Sequence, residues 1–407
     1  MGDNMKKKTN EFKCLKGVYA IIFSFIVLFS ISVAHAQEDF TQNRNNMIDQ
    51  QYEASDIRHF QNISKMALDA ETREVIPDFN IEKITRDLTR GTMDFNLNTM
   101  AERIIRMFMK EVYINISIMI QIIVLTVICG ILTNLQDSFK NNGVSEVAFF
   151  ACYIFLIGIM LRSFMYAIDI GRNAIENMVM FMQAMVPMLV TLMVSTGNIS
   201  SATIFQPAVL FCAQFIGTAI KYYLIPIVFF TTALAIANNI SDQFHVTKMV
   251  DFLKQITKWS IGIMLTIFIG VISVQGFAAS VVDGVASKTI KYAVGNFIPI
   301  VGGILADAVD MVMGCSLILK NAVGIVGLIT VIVICMVPII KIVAIIAIYR
   351  FTAAIIEPVS DKRIVKCITE LGNSITTVFS MVLTVMVMFI LSITIILGAG
   401  NVAAMVR

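Results

Sequence analysis

Charge is what this sequence has least of. Only 14% of its 407 residues are charged, against about a quarter in a soluble domain. With 57% hydrophobic residues and a mean hydropathy of +0.81, a soluble globule is excluded. Seven prolines and 22 glycines are too few for a collagen-like or low-complexity chain. The net charge of +3 is dispersed and gives no footprint for nucleic acid. Histidine is nearly missing: His35, His59 and His245 are scattered, and no Cys/His spacing suggests a metal. The seven cysteines are odd in number, residues 37–111 contain none, and Cys129, Cys152, Cys212 and Cys335 sit inside apolar runs. There the thiol is a small hydrophobe, and a disulfide scaffold is not expected.

Enzyme signatures are also missing. There is no Gly-x-x-x-x-Gly-Lys-Ser/Thr loop to cradle a nucleotide and no His-Glu-x-x-His. Ser287-Lys288 is the nearest approach to a nucleophile and base, but neighbours on a helix point about 100° apart. The chain is therefore expected to be non-enzymatic and to carry no cofactor.

The charges that exist are unevenly placed. Residues 37–111 hold 14 of the 28 acidic and 10 of the 31 basic residues. Upstream, Lys6, Lys7, Lys8, Lys13 and Lys16 precede the apolar run Val18 to Val33, followed by Ala34-His35-Ala36. This is the pattern of an export signal over 1–36 with cleavage before Gln37, although the same flank and run also suit an uncleaved anchor. Either way 37–111 is an exported segment. Its apolar residues recur with helical spacing at Phe60, Ile63 and Ala67 and at Ile81, Ile84 and Leu88, with Pro77 between. Met100, Ile104, Met107 and Phe108, interleaved with Arg103, Arg106 and Lys110, make a basic amphipathic helix leading into the body.

Residues 112–407 form the membrane body. A bilayer core takes about 20 apolar residues per helix, and runs occur near 112–134, 147–168, 178–196, 203–220, 224–240, 259–282, 323–349 and 373–398. The expected fold is thus all-α, a polytopic helical membrane protein with eight spans. The count is seven if the fourth and fifth runs join into one helix kinked at Pro226. Eight spans place Lys140, Lys248, Lys254, Lys258, Arg350, Lys362, Arg363 and Lys366 inside and Arg172, Lys221, Lys288, Lys291 and Lys320 outside, in keeping with the cytoplasmic excess of positive charge. Between spans, 283–322 is an apolar hairpin interrupted at Pro299, Gly302 and Gly303. A re-entrant hairpin and a pair of surface-lying helices both account for it.

Polar groups within apolar runs are the candidate site residues, because each is costly there. Gln121, Arg162, Gln183, Gln214, Gln275 and Lys341 are such groups, with Asp307 and Asp310 in the hairpin. Asp307 and Asp310 are three apart and are expected to neutralise Arg162 or Lys341, to line a cation-accepting cavity, or simply to face external water. Lys341 is near enough to the inner end of its span to snorkel. Gly276, Ser280 and Gly284 recur every fourth residue and form a helix-packing face.

Several stretches in this body are distinctive: Ser287-Lys288-Thr289, the run from Val294 to Gly303, Gly314-Cys315-Ser316 and Lys320-Asn321-Ala322-Val323-Gly324. With the signal, exported segment and polytopic body, they make the chain resemble the stage III sporulation protein AE family of endospore-forming bacteria. The resemblance implies a multi-pass protein of the mother-cell side, in the outer forespore membrane. It implies a subunit of a channel or export-platform complex linking mother cell and forespore and needed for late forespore development. The implied partners are other proteins of the same operon, including a cytoplasmic ATPase and ring-forming proteins, a forespore membrane partner, and further copies of the chain. On the residues alone, a self-sufficient secondary transporter and a purely structural scaffold remain as alternatives.

Overall fold

The sequence pattern of long apolar runs with few breakers is realised as long helices. The computed structural model describes residues 84–85, 88, 97–138, 142–240, 246–297 and 302–405, with side chains at 84–85, 88, 101–132, 147, 150–239, 246–276 and 311–398. The signal, most of the exported segment and Pro299 lie outside the described residues. Seven helices follow in order: α1 Leu97–Ser138, α2 Asn142–Ser195, α3 Ile199–Ala219, α4 Ile225–Ile240, α5 Thr247–Phe297, α6 Gly302–Ile356 and α7 Lys362–Met405. A π-helical turn, Ile220–Leu224, joins α3 to α4, so these helices make six rods, each long and apolar enough to cross a membrane. No strand occurs among the described residues. The protein is an all-α, multi-pass membrane protein.

Six rods replace the eight expected spans, and the reason is local. Residues 169–177 carry Asp169, Arg172 and Glu176, but charge does not stop a helix where no turn residues accompany it. The second and third runs are therefore two halves of α2, 54 residues long. The fourth and fifth runs are also one rod. Pro226 has no N–H to donate and would crowd a regular turn; the wide turn just before it, where the Ile225 N–H bonds the Ile220 carbonyl, absorbs the mismatch. Joining both pairs leaves the parity of all later segments unchanged. The basic clusters at 248–258 and 350–366 consequently meet at one end, tied by the ion pair of Lys254 with Glu370. Of the residues expected to form a hairpin at 283–322, the described ones belong to the end of α5 and the start of α6, which Gly302 and Gly303 open, and the break at Pro299 lies outside the described residues.

Helices α6 and α7 form the centre, packed on each other; α2 packs on both, α1 on α6, and α4 and α5 on α7. The buried side of α7 runs through Ile364, Ile368, Leu371, Ile375, Val378, Val382, Val385, Phe389, Ile393 and Ile396, the three-four spacing of one helical face. Against lipid there is no hydrophobic gain from packing such faces, so close approach matters most. A Cβ at Gly171 would lie 2.6 Å from Val378, and one at Gly276 would meet Ile395 at 3.1 Å and Phe205 at 3.7 Å. At Gly276 the backbone of α5 therefore approaches α7 and α3 closely. Ser280 and Gly284 continue the same helix, but their side chains lie outside the described residues.

The turns between rods are capped. After α2, Gly197 has φ 82°, and the Asn198 N–H reaches the Met193 carbonyl at 3.0 Å while the Gly197 N–H reaches Val194 at 2.9 Å, the paired bonds of a glycine C-cap. Asn238 Oδ1 accepts the Val246 N–H at 3.0 Å and the Thr247 hydroxyl at 3.2 Å, joining the end of α4 to the start of α5. Asp361 caps α7 by accepting the Arg363 N–H at 2.8 Å, and the Arg363 guanidinium adds a contact at 3.1 Å. Burial opposes the Asp361 carboxylate, but these bonds from Arg363 hold its pKa below the ordinary value. Asp361→Ala is expected to cost about 1 kcal/mol, read as a lower unfolding temperature in detergent. The cap's contribution is complete above the ordinary carboxylate range and disappears as pH falls through the lowered pKa. The difference between the two proteins should therefore close on acidification.

Candidate functional site

Contacts between rods fix which residues share a level. Met107 of α1 packs with Val337 and Ile340 of α6, and Cys335 of α6 touches Met178 of α2. Glu176 of α2 meets Lys221 of the π turn. One level of the bundle therefore holds Lys110 and Glu111, Arg172 and Glu176, Lys221, and Lys341. At the other end, a Cβ at Gly130 would lie 2.8 Å from the Val359 carbonyl, and about halfway there the Tyr349 hydroxyl donates to the Met160 carbonyl at 3.0 Å. From the charged level to this end is about 20 residues of helix, or about 30 Å. Beyond the charged level, the α2–α3 hairpin continues for about 20 residues more, and α6 for about 35. The bundle has two tiers of helix with a charged belt between them.

The belt is built from elements that had been expected in external loops. Lys221 Nζ stands 2.5 Å from Glu176 Oε1 and 5.6 Å from the centre of the Tyr222 ring, and Arg172 Nε stands 3.4 Å from the same carboxylate oxygen. Two turns further on, Gln183 Nε2 donates to Gln214 Oε1 at 2.6 Å, and Gln214 Nε2 donates to Thr218 at 3.4 Å. These groups line a cavity of about 240 Å³ between α2 and the α3–α4 rod. One carboxylate between two cations leaves the cluster positive by one charge. The two glutamines had each been singled out by their apolar surroundings; their pairing across helices was not visible without the hairpin.

The remaining sequence candidates are dispersed. Arg162 is exposed on α2 and has no ion pair among the described residues. It lies near the level of Tyr349, through Met160. Asp307 and Asp310 begin the same continuous helix about 40 residues earlier, about 60 Å of helical rise away, so within one chain they cannot neutralise Arg162. They are also about 45 Å from Lys341. Lys341 is partly buried. Gln121 donates only to Ser117 within its own helix, at 3.3 Å. Gln275 Oε1 is buried without a hydrogen bond.

Two features escaped the sequence reading. Lys320, expected in an external loop, is 0% exposed and donates to the Leu397 carbonyl at 3.1 Å. Its neighbourhood is apolar enough that only the pairing of α6 with α7 shows it to be interior. The second is a cluster at the basic end, where Lys254 pairs with Glu370, Thr232 donates to Ser374 at 2.8 Å, and Arg350 reaches Asn373 at 3.4 Å. Among the described residues no group of three or more His, Cys, Asp or Glu could hold a metal.

If Glu176 is what offsets the two belt cations, Glu176→Ala should lower the unfolding temperature by the equivalent of about 1 kcal/mol. Adding Lys221→Ala should cost less than the sum of the two single changes. Additive losses would mean that the carboxylate and the ammonium are not energetically coupled.

Comparison with known proteins covers both tiers. The family described as Stage III sporulation protein AE matches residues 79–400. Stage III sporulation protein AE of Bacillus subtilis (strain 168) is 36% identical over 321 residues, covering 79% of this chain and 80% of that protein. No solved structure matches. The matched stretch takes in the basic helix before the first span, the belt, both hairpins and nearly all of α7, and the chain belongs to the stage III sporulation protein AE family, whose description names a stage of sporulation and no reaction.

Proposed function

We propose that the protein is a non-enzymatic subunit of the membrane channel or export platform that links mother cell and forespore, seated in the mother cell's membrane around the forespore and needed for late forespore development. The tier between the belt and the basic end lies in the lipid. Its length of about 30 Å matches the hydrocarbon core, and the basic clusters at its end face the cytoplasm. The other tier projects toward the intermembrane space.

The observation that carries this reading is the apolar surface of the projecting tier. Val194 is 46% exposed, Ile199 54%, Phe211 70% and Phe215 56%, and the last two rings stack with centroids 6.2 Å apart. A contiguous apolar surface of this kind in water is a protein-binding face. Ring-forming proteins of the same operon, a forespore partner and further copies of the chain are the proposed cover. The energy source is a separate cytoplasmic ATPase reached through the basic end, since the chain has no nucleotide loop.

Deleting the gene should arrest forespore development after engulfment and leave vegetative growth normal; impaired growth before sporulation would contradict the proposal. The placement has its own test. Trp259 is the chain's one tryptophan, is 66% exposed, and lies five residues beyond Lys254, closer to the belt than to the basic end, since Glu370, the partner of Lys254, is only two turns from Val378, which meets Gly171. In bilayers, lipids brominated high on the acyl chain should quench its fluorescence more than lipids brominated near the terminal methyl. Equal or absent quenching would place the bilayer elsewhere on the bundle.

A further inference from the structure

In the tier between the belt and the basic end, two helices carry charge on outward faces. On α2, Arg162 and Asp169 are exposed and make no ion pair among the described residues. On α5, Asp251 and Lys258 are exposed and make none either. Charge turned toward lipid is costly and by default marks a function. The members of each pair are seven residues apart, so each pair lies on one face of its helix. Tyr166 and Gln255, also exposed, hold the turn between them on the two stripes.

The signs run in opposite order. Both helices run from the basic end toward the belt, and in that direction α2 presents its cation first, whereas α5 presents its anion first. The depths match as well. Gly171 of α2 meets Val378 of α7, which puts Arg162 about nine residues below Val378, toward the basic end, and Asp169 about two. Two contacts bracket α5, Lys254 with Glu370 and Gly276 with Ile395. They put Asp251 about eight to eleven residues below Val378 and Lys258 about one to four. At 1.5 Å per residue, the stripes agree in height to within about 3 Å.

The stripes do not meet within one chain. The neighbours of α2 are α6, α7, α1 and α3, those of α5 are α7, α3, α4 and α6, and both stripes face away from the bundle. Of the most apolar stretch of α5, 11% is buried, against 61% in α6, so α5 is an edge with room for a neighbour. Copies related by an axis along the membrane normal keep every residue at its own depth, and equal depth is what a contact between copies requires. We infer that this face of α2 docks on α5 of a second copy of the chain, Arg162 of one copy against Asp251 of the next and Asp169 against Lys258. Asn173 then falls beside Gly262, where a Cβ would meet nothing within 4 Å and the backbones have room to approach. Lys258 also lines the cavity of about 390 Å³ between α4, α5 and α7, so the docked helix lies across its edge. Because the two faces differ, the contact repeats from copy to copy and builds a ring rather than stopping at a dimer. Arg350 and Glu357 repeat the signs of the α5 stripe, but Arg350 is engaged with Asn373. Ile342 beside Gly171 also sets them about six residues, or 9 Å, too near the basic end.

The inference deepens the proposal that further copies of the chain are among its partners. It is read from capture between copies, so it can fail while the sporulation phenotype holds, and the reverse. Two differently tagged forms of the full-length chain are expressed together, and capture of one with the other is measured from solubilised membranes. Parent copies should capture one another. Arg162→Glu sets two carboxylates face to face and Asp251→Arg sets two guanidinium groups face to face, so copies that all carry either change should lose capture about tenfold. Copies with Arg162→Glu mixed with copies with Asp251→Arg have opposite signs at every contact of an alternating ring and should recover capture, which also shows that both variants fold. A second measurement leaves the charges intact: photoreactive benzoylphenylalanine in place of Tyr166 should cross-link to residues 251–262 of another copy. No capture between parent copies, undiminished capture with either single change, or a mixed pair no better than the unmixed ones would overturn the inference. Where a variant melts below the parent, the cross-link decides, and one that reaches only other proteins or residues 350–357 would overturn the docking face.

Discussion

The thickness of a hydrocarbon layer, about 30 Å, is the constraint that organises this molecule. A helix rises 1.5 Å per residue, so α2 with 54 residues and α6 with 55 are each about 80 Å long. No single bilayer accepts such rods upright. Either the helices break at the membrane surface or the bundle continues past it, and the proposed placement takes the second course. The π turn at Ile220–Leu224 marks the transition without interrupting the rod, and the charges of Arg172, Glu176 and Lys221 lie where a surface would be.

That arrangement changes the meaning of the polar residues. In a plain eight-span protein Arg172 and Lys221 would be ordinary loop charges. Within continuous helices they become a fixed belt whose members hold one another, and the hairpin is free to be apolar on both sides of it. Gln183 and Gln214, deeper in the outer tier, then act as a cross-helix hydrogen bond, a contribution of about 0.6 kcal/mol in membrane bundles. Lys320 is the exception, since a fully buried ammonium with one carbonyl partner is held by the close packing of α6 on α7 and not by a counter-charge in view.

Much of the architecture was legible from composition and spacing. The apolar runs marked the helices and the all-α, membrane-spanning class, because both depend on short-range pattern. What was not legible was continuity. The residues between runs, 169–177 in particular, are polar enough to read as a loop, and whether polar residues leave a helix depends on neighbours far along the chain. For the same reason a pairing of Asp307 and Asp310 with Arg162 stayed among the open alternatives in the sequence, whereas an unbroken α6 sets them about 60 Å apart. The cavity between α4, α5 and α7, with six hydroxyl residues among its eleven lining residues, could not be anticipated either, since single threonines and serines on three helices carry no signal until the helices are brought together.

The exposed side of α2 fits the proposal that one chain is not the whole device. Arg162 stands midway along the inner tier, and Asp169 and Asn173 continue its face at seven and eleven residues' spacing, all exposed, with Tyr166 45% exposed among them. An arginine turned to lipid at that depth costs about 2.5–3.5 kcal/mol even by the most lenient scales. Snorkelling relieves such a cost near a surface, but about ten residues of helix separate Arg162 from either end of the tier. A self-sufficient transporter would turn this stripe inward, toward its own helices. Here it points away from them, as the proposed assembly, in which a neighbouring protein covers it, would have it. The apolar rings of Phe211 and Phe215 above the belt fit the same proposal: in the proposed placement one tier is polar for lipid and the other apolar for water, and each exposed face is one that a protein partner would cover.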